Sequence, residues 1–71
     1  MLAHEQMEAL GFEIKRDGPA ALVIIRRGAV AGYVERSRRD RTLWRSVTVS
    51  GQLRHCHSVA AAVDHIVSLT S

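Results

Sequence analysis

The chain has 71 residues, 46% of them hydrophobic, a formal net charge of +3, one proline and one cysteine. That length sets a single domain, residues 1–71, with a small core worth roughly 3 to 5 kcal/mol of net stability, and the apolar content with a lone proline argues against a disordered tail. The longest apolar run, AALVII at 20–25, is far short of the roughly 20 residues that span a bilayer, which excludes membrane insertion by a helix.

Within the first ten residues Ala3, Met7 and Leu10 fall at i, i+4 and i+7, with Glu5 and Glu8 elsewhere on the wheel and Gly11 where a helix would end. The spacing predicts a short helix. FEIKR at 12–16 alternates apolar and polar residues, so a strand with Phe12 and Ile14 inward is expected, closed by a turn at DGP, 17–19. Two β-rich runs, 21–27 and 29–36, flank Arg27-Gly28 and read as a hairpin. A fourth strand is expected at 42–49, ending at Ser50-Gly51, and a short fifth at 52–56.

The last segment carries the clearest pattern. Ser58 is a good N-cap, and Val59, Ala62, Val63, Ile66 and Val67 repeat at helical spacing, so an amphipathic helix is predicted. The expected fold class is α+β: a short N-terminal helix, an antiparallel meander of four to five strands, and a C-terminal amphipathic helix packed on one sheet face.

Strand alternation divides the sheet into two expected faces. One, aliphatic and assigned to the core, holds Leu22, Ile24, Val30, Val34, Leu43, Val47 and Val49. The other holds Val23, Ile25, Arg27, Ala31, Tyr33, Glu35, Trp44, Ser46 and Thr48. This mixed face is too apolar to be left to water without a reason. It could be covered by the first helix through Met7 and Leu10. It could pair with a second copy, giving a homodimer through Val23, Ile25, Tyr33 and Trp44, or serve as a platform for nucleic acid.

Charge is unevenly placed. Nine of the ten cations are arginine, and eight of these lie between 26 and 54, against only Glu35 and Asp40. ERSRRDRTLW at 35–44 concentrates them in the expected loop between the third and fourth strands. Such a loop is commonly only solvated. Arginine presents a planar fork of donors matched to phosphate, however, and the cluster of Arg36, Arg38, Arg39, Arg41 and Arg45, joined by Arg26 and Arg27 at the neighbouring turn, forms a candidate nucleic-acid contact with Trp44.

GYVER, then TLWRSVTVSG, then HSVAAAVDHIV, within residues 21–67, resembles the three-stranded sheet plus helix of phage integrase arm-type DNA-binding domains and of ethylene-response-factor domains. The resemblance implies a sheet entering the major groove, with Arg36, Trp44 and Arg45 at the contact positions. The chain departs from that pattern in lacking a WxGxF after the third strand and in its extra first helix. The pattern is similar, too, to short uncharacterised actinobacterial and phage proteins.

Other chemistry finds little footing. HCH at 55–57, with His65 and His4, offers ligands of a kind zinc takes, but in a strand His55 and His57 point one way and Cys56 the other, so no metal site is assigned. An isolated cysteine is more often a buried apolar side chain than a nucleophile, and none of the seven carboxylates forms an evident catalytic pair. No catalytic residue and no cofactor are expected. With one cysteine and no basic segment leading an apolar run at the N-terminus, the expected location is the cytoplasm. The leading expectation is a small non-enzymatic binding protein, of the kind phages encode, that contacts nucleic acid through its arginine-rich hairpins and sheet. The alternative is a protein-binding module or inhibitor of a host protein, homodimeric through the Tyr33 and Trp44 face.

Overall fold

The structure, a computed structural model, describes residues 4–70. Its element order is α1 (His4–Ala9), β1 (Phe12–Arg16), β2 (Ala21–Arg26), β3 (Ala29–Arg36), β4 (Trp44–Thr48), β5 (Leu53–Cys56) and α2 (Val59–Thr70). The strands form one five-stranded antiparallel sheet in the order β1-β2-β3-β4-β5, with α2 packed across β3, β4 and β5. The α+β class and its meander are therefore as the periodicities predict. Ala3, expected on the stripe of the first helix, lies outside the described residues.

The β2–β3 hairpin closes through Arg27 and Gly28, both at positive φ (49° and 83°). Two consecutive left-handed residues are the signature of a type I′ turn, whose twist matches that of the strands it joins. Glycine adopts this geometry freely and arginine does not, so Arg27 is held there partly by its N–H donating to the Gly11 carbonyl at 2.8 Å.

Helix α2 starts at a satisfied cap, since Ser58 Oγ accepts the Ala61 N–H at 3.1 Å. Its buried side is Ala62, Val63, Ile66 and Val67, with Val59 half-buried beside them, as the spacing predicts. Ile24, Val34, Ile66 and Val67 are shut off from water, and burying each contributes roughly 1.5 to 3 kcal/mol. Met7 joins this cluster with Phe12 and Ile24. Ile14 pairs with Ile24 and so points to the same side, yet it stays exposed because α2 lies over β3–β5 and not over edge strand β1.

The division of the sheet into faces differs from the expectation in two places. A register shift between Ile24 and Ile25 leaves Gly32 opposite Ile24 but Val30 opposite Ile25, so Ala31 is the extra residue of a bulge. Ala31 is buried and Val30 is turned to the open face, the reverse of the expected arrangement. In β4 the whole phase is inverted. Val34 pairs with Ser46, and Gly32 with Thr48, so Ser46, Thr48 and Trp44 face α2 while Val47 faces away with Tyr33.

Close approach and hydrogen bonding explain the inversion. At Gly32 an added Cβ would lie 2.6 Å from the Val47 carbonyl oxygen and 2.9 Å from Ile66 Cδ1, so the helix is seated directly on bare backbone. Small inward residues on the neighbouring strand suit that distance, and their hydroxyls are satisfied. Ser46 Oγ donates to the Ala62 carbonyl at 2.8 Å and Thr48 Oγ1 accepts the Gln52 N–H at 3.1 Å.

Candidate nucleic-acid interface

In an antiparallel meander successive turns alternate between the two ends of the sheet. The β1–β2 turn and the β3–β4 loop lie at one end, and the Arg27–Gly28 turn and the β4–β5 turn at the other. The eight residues of β3 separate the two ends by roughly 25 Å at the usual strand rise. That exceeds the Debye length of about 8 Å at physiological salt, so the expected joint field of Arg26 and Arg27 with the loop arginines does not form.

Arg26 is occupied elsewhere. Its Nη1 donates to the Thr70 carbonyl at the C-terminus of α2, and its guanidinium lies 5.5 Å from the centre of the Phe12 ring. A cation at a helix C-terminus stabilises the orphan carbonyls there, so this arginine is a clamp between α2 and the sheet. Arg27 is an exposed turn residue at the same end.

The loop from Ser37 to Leu43 is braced from within. The Ser37 N–H donates to the Leu43 carbonyl at 2.9 Å, and the Leu43 N–H to the Asp40 carbonyl at 3.0 Å. Asp40 Oδ1 accepts from Thr42 Oγ1 at 2.6 Å and from the Thr42 N–H at 2.9 Å. These bonds, the hydroxyl first and the amide second, hold the Asp40 carboxyl below the usual carboxylate range. Asp40 therefore shapes the loop in the manner of an Asx turn, while its carboxylate stays exposed and charged.

Ser37 is buried, while Arg38, Arg39 and Arg41 are exposed alongside Asp40 and Thr42. Among the described residues no carboxylate pairs with any of the three. Arg36 stands at the root of the loop with its guanidinium 4.8 Å from the centre of the Trp44 ring. That contact orients a donor fork without neutralising it. Arg45 differs: its Nη1 meets Glu35 Oε1 at 2.8 Å, and with both partners about half exposed the pair is worth at most about 1 kcal/mol but offsets one positive charge.

The contact residues implied by the family resemblance are divided between faces. Arg36 pairs with Trp44 and both lie on the α2 side, whereas Arg45 pairs with Glu35 on the open side. Trp44 is therefore not on one face with Tyr33, Val23 and Ile25, as alternation had led us to expect. It is half-buried against the core, next to Leu22 and Val59. The correction follows from the inverted phase of β4. Val23, Ile25 and Tyr33 do share the open face, joined there by Val47 and Leu53.

Several neighbours of the loop escaped notice in the sequence. Arg16 ends β1 at the same end and lines a hollow with Pro19, Trp44 and Val59. His55 lines a second hollow with Arg38, Arg39 and Arg45, and Arg36, Arg38, Arg41 and Trp44 line a third with Asp17. The alternation of turns between sheet ends would have placed Arg16 here. Val59, the first residue of α2, packs by Trp44, so the positive end of the helix dipole points to the same end of the molecule as the arginines.

The remaining candidates are separated. Cys56 is buried, while His55 and His57 are exposed; the His4 side chain lies outside what the structure describes. Among the described residues no group of three potential metal ligands comes together. His65 Nδ1 lies 2.8 Å from Ser46 Oγ. The Ser46 hydroxyl proton goes to the Ala62 carbonyl, which assigns the His65 proton to Nδ1 as donor. Ser46 is wholly shielded, so the pair is a buried strut and not a nucleophile with its base. Burial, and after it the Arg54 guanidinium, lowers the His65 pKa below its ordinary value.

Comparison with protein-family models, with curated proteins and with solved structures finds no match to this chain. No helix of the described residues is long and apolar enough to cross a membrane.

Proposed function

We propose that the chain is a small, non-enzymatic, cytoplasmic binding protein, of the kind phages encode, that holds the backbone of a nucleic acid against the β3–β4 end of its sheet. One observation carries this reading: Arg38, Arg39 and Arg41 are exposed, with no carboxylate partner among the described residues, on a loop whose own acidic residue is engaged by Thr42. The internal bonds of Ser37, Asp40, Thr42 and Leu43 fix the loop backbone from which the three arginines extend. Arg36, stacked on Trp44, adds a fourth donor fork beside an aromatic ring, the combination on which phosphates and bases are held.

The contact is to the backbone and not to base edges, because Arg38, Arg39 and Arg41 lie on a loop and Arg36 is only the last residue of β3, so the cluster is not arrayed along a strand or helix that could enter a groove. The reading is tested by titrating a fluorescent duplex and a single strand with the protein at 50 mM salt. Binding is expected, weakened by Arg38→Ala with Arg39→Ala while the thermal melt stays unchanged. Absence of binding to either probe at that salt refutes it.

A second reading, a protein-binding module or inhibitor of a host protein, is favoured by the open sheet face. There Tyr33, Val30 and Leu53 remain 44%, 39% and 50% exposed.

A further inference from the structure

The strand registers arrange the open face in rows. One row crosses all five strands as Lys15, Val23, Tyr33, Val47 and Leu53. The next, toward the Arg27–Gly28 turn, runs Glu13, Ile25 and Val30. Neither helix covers them, because α2 packs on the opposite face and Met7 of α1 is buried with Phe12 and Ile24. The rows are two residues apart along the strands, about 6.7 Å. Each begins on β1 with a charge, of opposite sign, and among the described residues neither Glu13 nor Lys15 has an ion-pair partner.

This pattern is complementary to itself. Consider a two-fold axis between two stacked sheets, perpendicular to the strands and passing midway between the rows. It lays the first row of one copy over the second row of the other. Lys15 then meets Glu13 of the second copy, Val23 meets Ile25 and Tyr33 meets Val30, with both ion pairs formed reciprocally. Sheets stack about 10 Å apart, a gap that long Lys and Glu side chains span together. The other in-plane axis, parallel to the strands, is disfavoured by charge. It would set the two arginine loops side by side and leave Glu13 and Lys15 facing the β5 edge.

We infer that the open face is a self-complementary interface in which two copies of the chain stack sheet on sheet, with Lys15 and Glu13 paired across the two-fold axis and the arginine loops at opposite ends. The inference is independent of the nucleic-acid reading.

Charge exchange tests it. Sedimentation equilibrium is measured over a concentration series for the full chain, for Glu13→Lys, for Lys15→Glu, and for an equimolar mixture of the two variants. The full chain is expected to dimerise. Each variant alone places like charges at both contacts and weakens the dimer by about tenfold or more. In the mixture each variant supplies the sign the other lacks, so a heterodimer forms with the original affinity. Both positions are exposed, and far-UV circular dichroism confirms that the variants are folded. Tyr33→Arg, at the centre of the face, abolishes association. A full chain that stays monomeric throughout, a dimer that survives these variants, or a mixture that fails to restore it overturns the inference.

Discussion

Gly32→Ala is a single-methyl perturbation that reads out where α2 sits. The added Cβ would fall 2.6 Å from the Val47 carbonyl oxygen, 2.9 Å from Ile66 Cδ1 and 3.1 Å from Ile66 Cγ1. Ile66 is wholly buried, so its end has no free volume to move into, and the Val47 oxygen is backbone. Over-packing of this kind costs about 1 to 3 kcal/mol. Gly32 is not among the glycines at positive φ, so alanine is tolerated conformationally and stabilises by about 0.4 to 1 kcal/mol through the unfolded chain. The clash wins, leaving a net loss of about 1 to 2 kcal/mol, which lowers the melting temperature by about 5 to 15 °C for a domain of this size. The assay is a thermal melt by far-UV circular dichroism, with Ile66→Val as partner. Removing Cδ1 relieves one of the contacts, so the double variant is expected to lose less than the two single losses combined. A melting temperature that rises in Gly32→Ala would refute the seating of α2 on β3.

Arg26→Ala removes the clamp on the Thr70 carbonyl and the Phe12 ring, and is expected to destabilise by about 1 to 2 kcal/mol in urea unfolding while leaving duplex affinity unchanged. Lost affinity in a variant that is still folded would mean that the polyanion touches the wrong end of the sheet for this account. Stability also depends on pH through His65. Its folded pKa lies below 6.5, so the unfolded chain takes up the proton first and stability falls as pH drops from about 6.5 toward the lowered folded value. The urea midpoint should decline over that window and decline less in His65→Asn; equal slopes would remove His65 as the cause.

Turns and helices were legible in the sequence because their signals are local. Asp17-Gly18-Pro19, Arg27-Gly28 and Ser50-Gly51 mark the three turns, and the stripe from Val59 to Val67 requires a helix that buries one side. Strand phase was legible in β2 and in β3 beyond its bulge, where Leu22, Ile24 and Val34 turn inward as alternation expects, but not in β4. Hydropathy turns Val47 inward and Ser46 and Thr48 outward, yet a glycine one strand away admits the helix so closely that small hydroxyl residues fit where valine would not. Their hydrogen bonds to Ala62 and Gln52 remove the cost of burying them, and no single-residue scale records such partners. The bulge at Ala31 added a second reversal, since one extra residue exchanges the faces beyond it. Trp44 was misplaced by the inverted phase of β4, while Tyr33, on the unbulged part of β3, was placed correctly. The arginine cluster was visible as composition, but its division between two ends of the sheet was not, because Arg26 and Arg36 are near in sequence and a full strand apart in space.

The most direct measurement of the central claim is the salt dependence of duplex binding. Four guanidiniums, those of Arg36, Arg38, Arg39 and Arg41, engaging phosphates give a slope of log K against log salt of about −3.6, and Arg38→Ala with Arg39→Ala reduces it to about −1.8. Arg27→Ala, at the far end of the sheet, leaves it unchanged. A slope near zero, or one that falls as much with Arg27→Ala as with the loop pair, contradicts a polyanion held at the β3–β4 end.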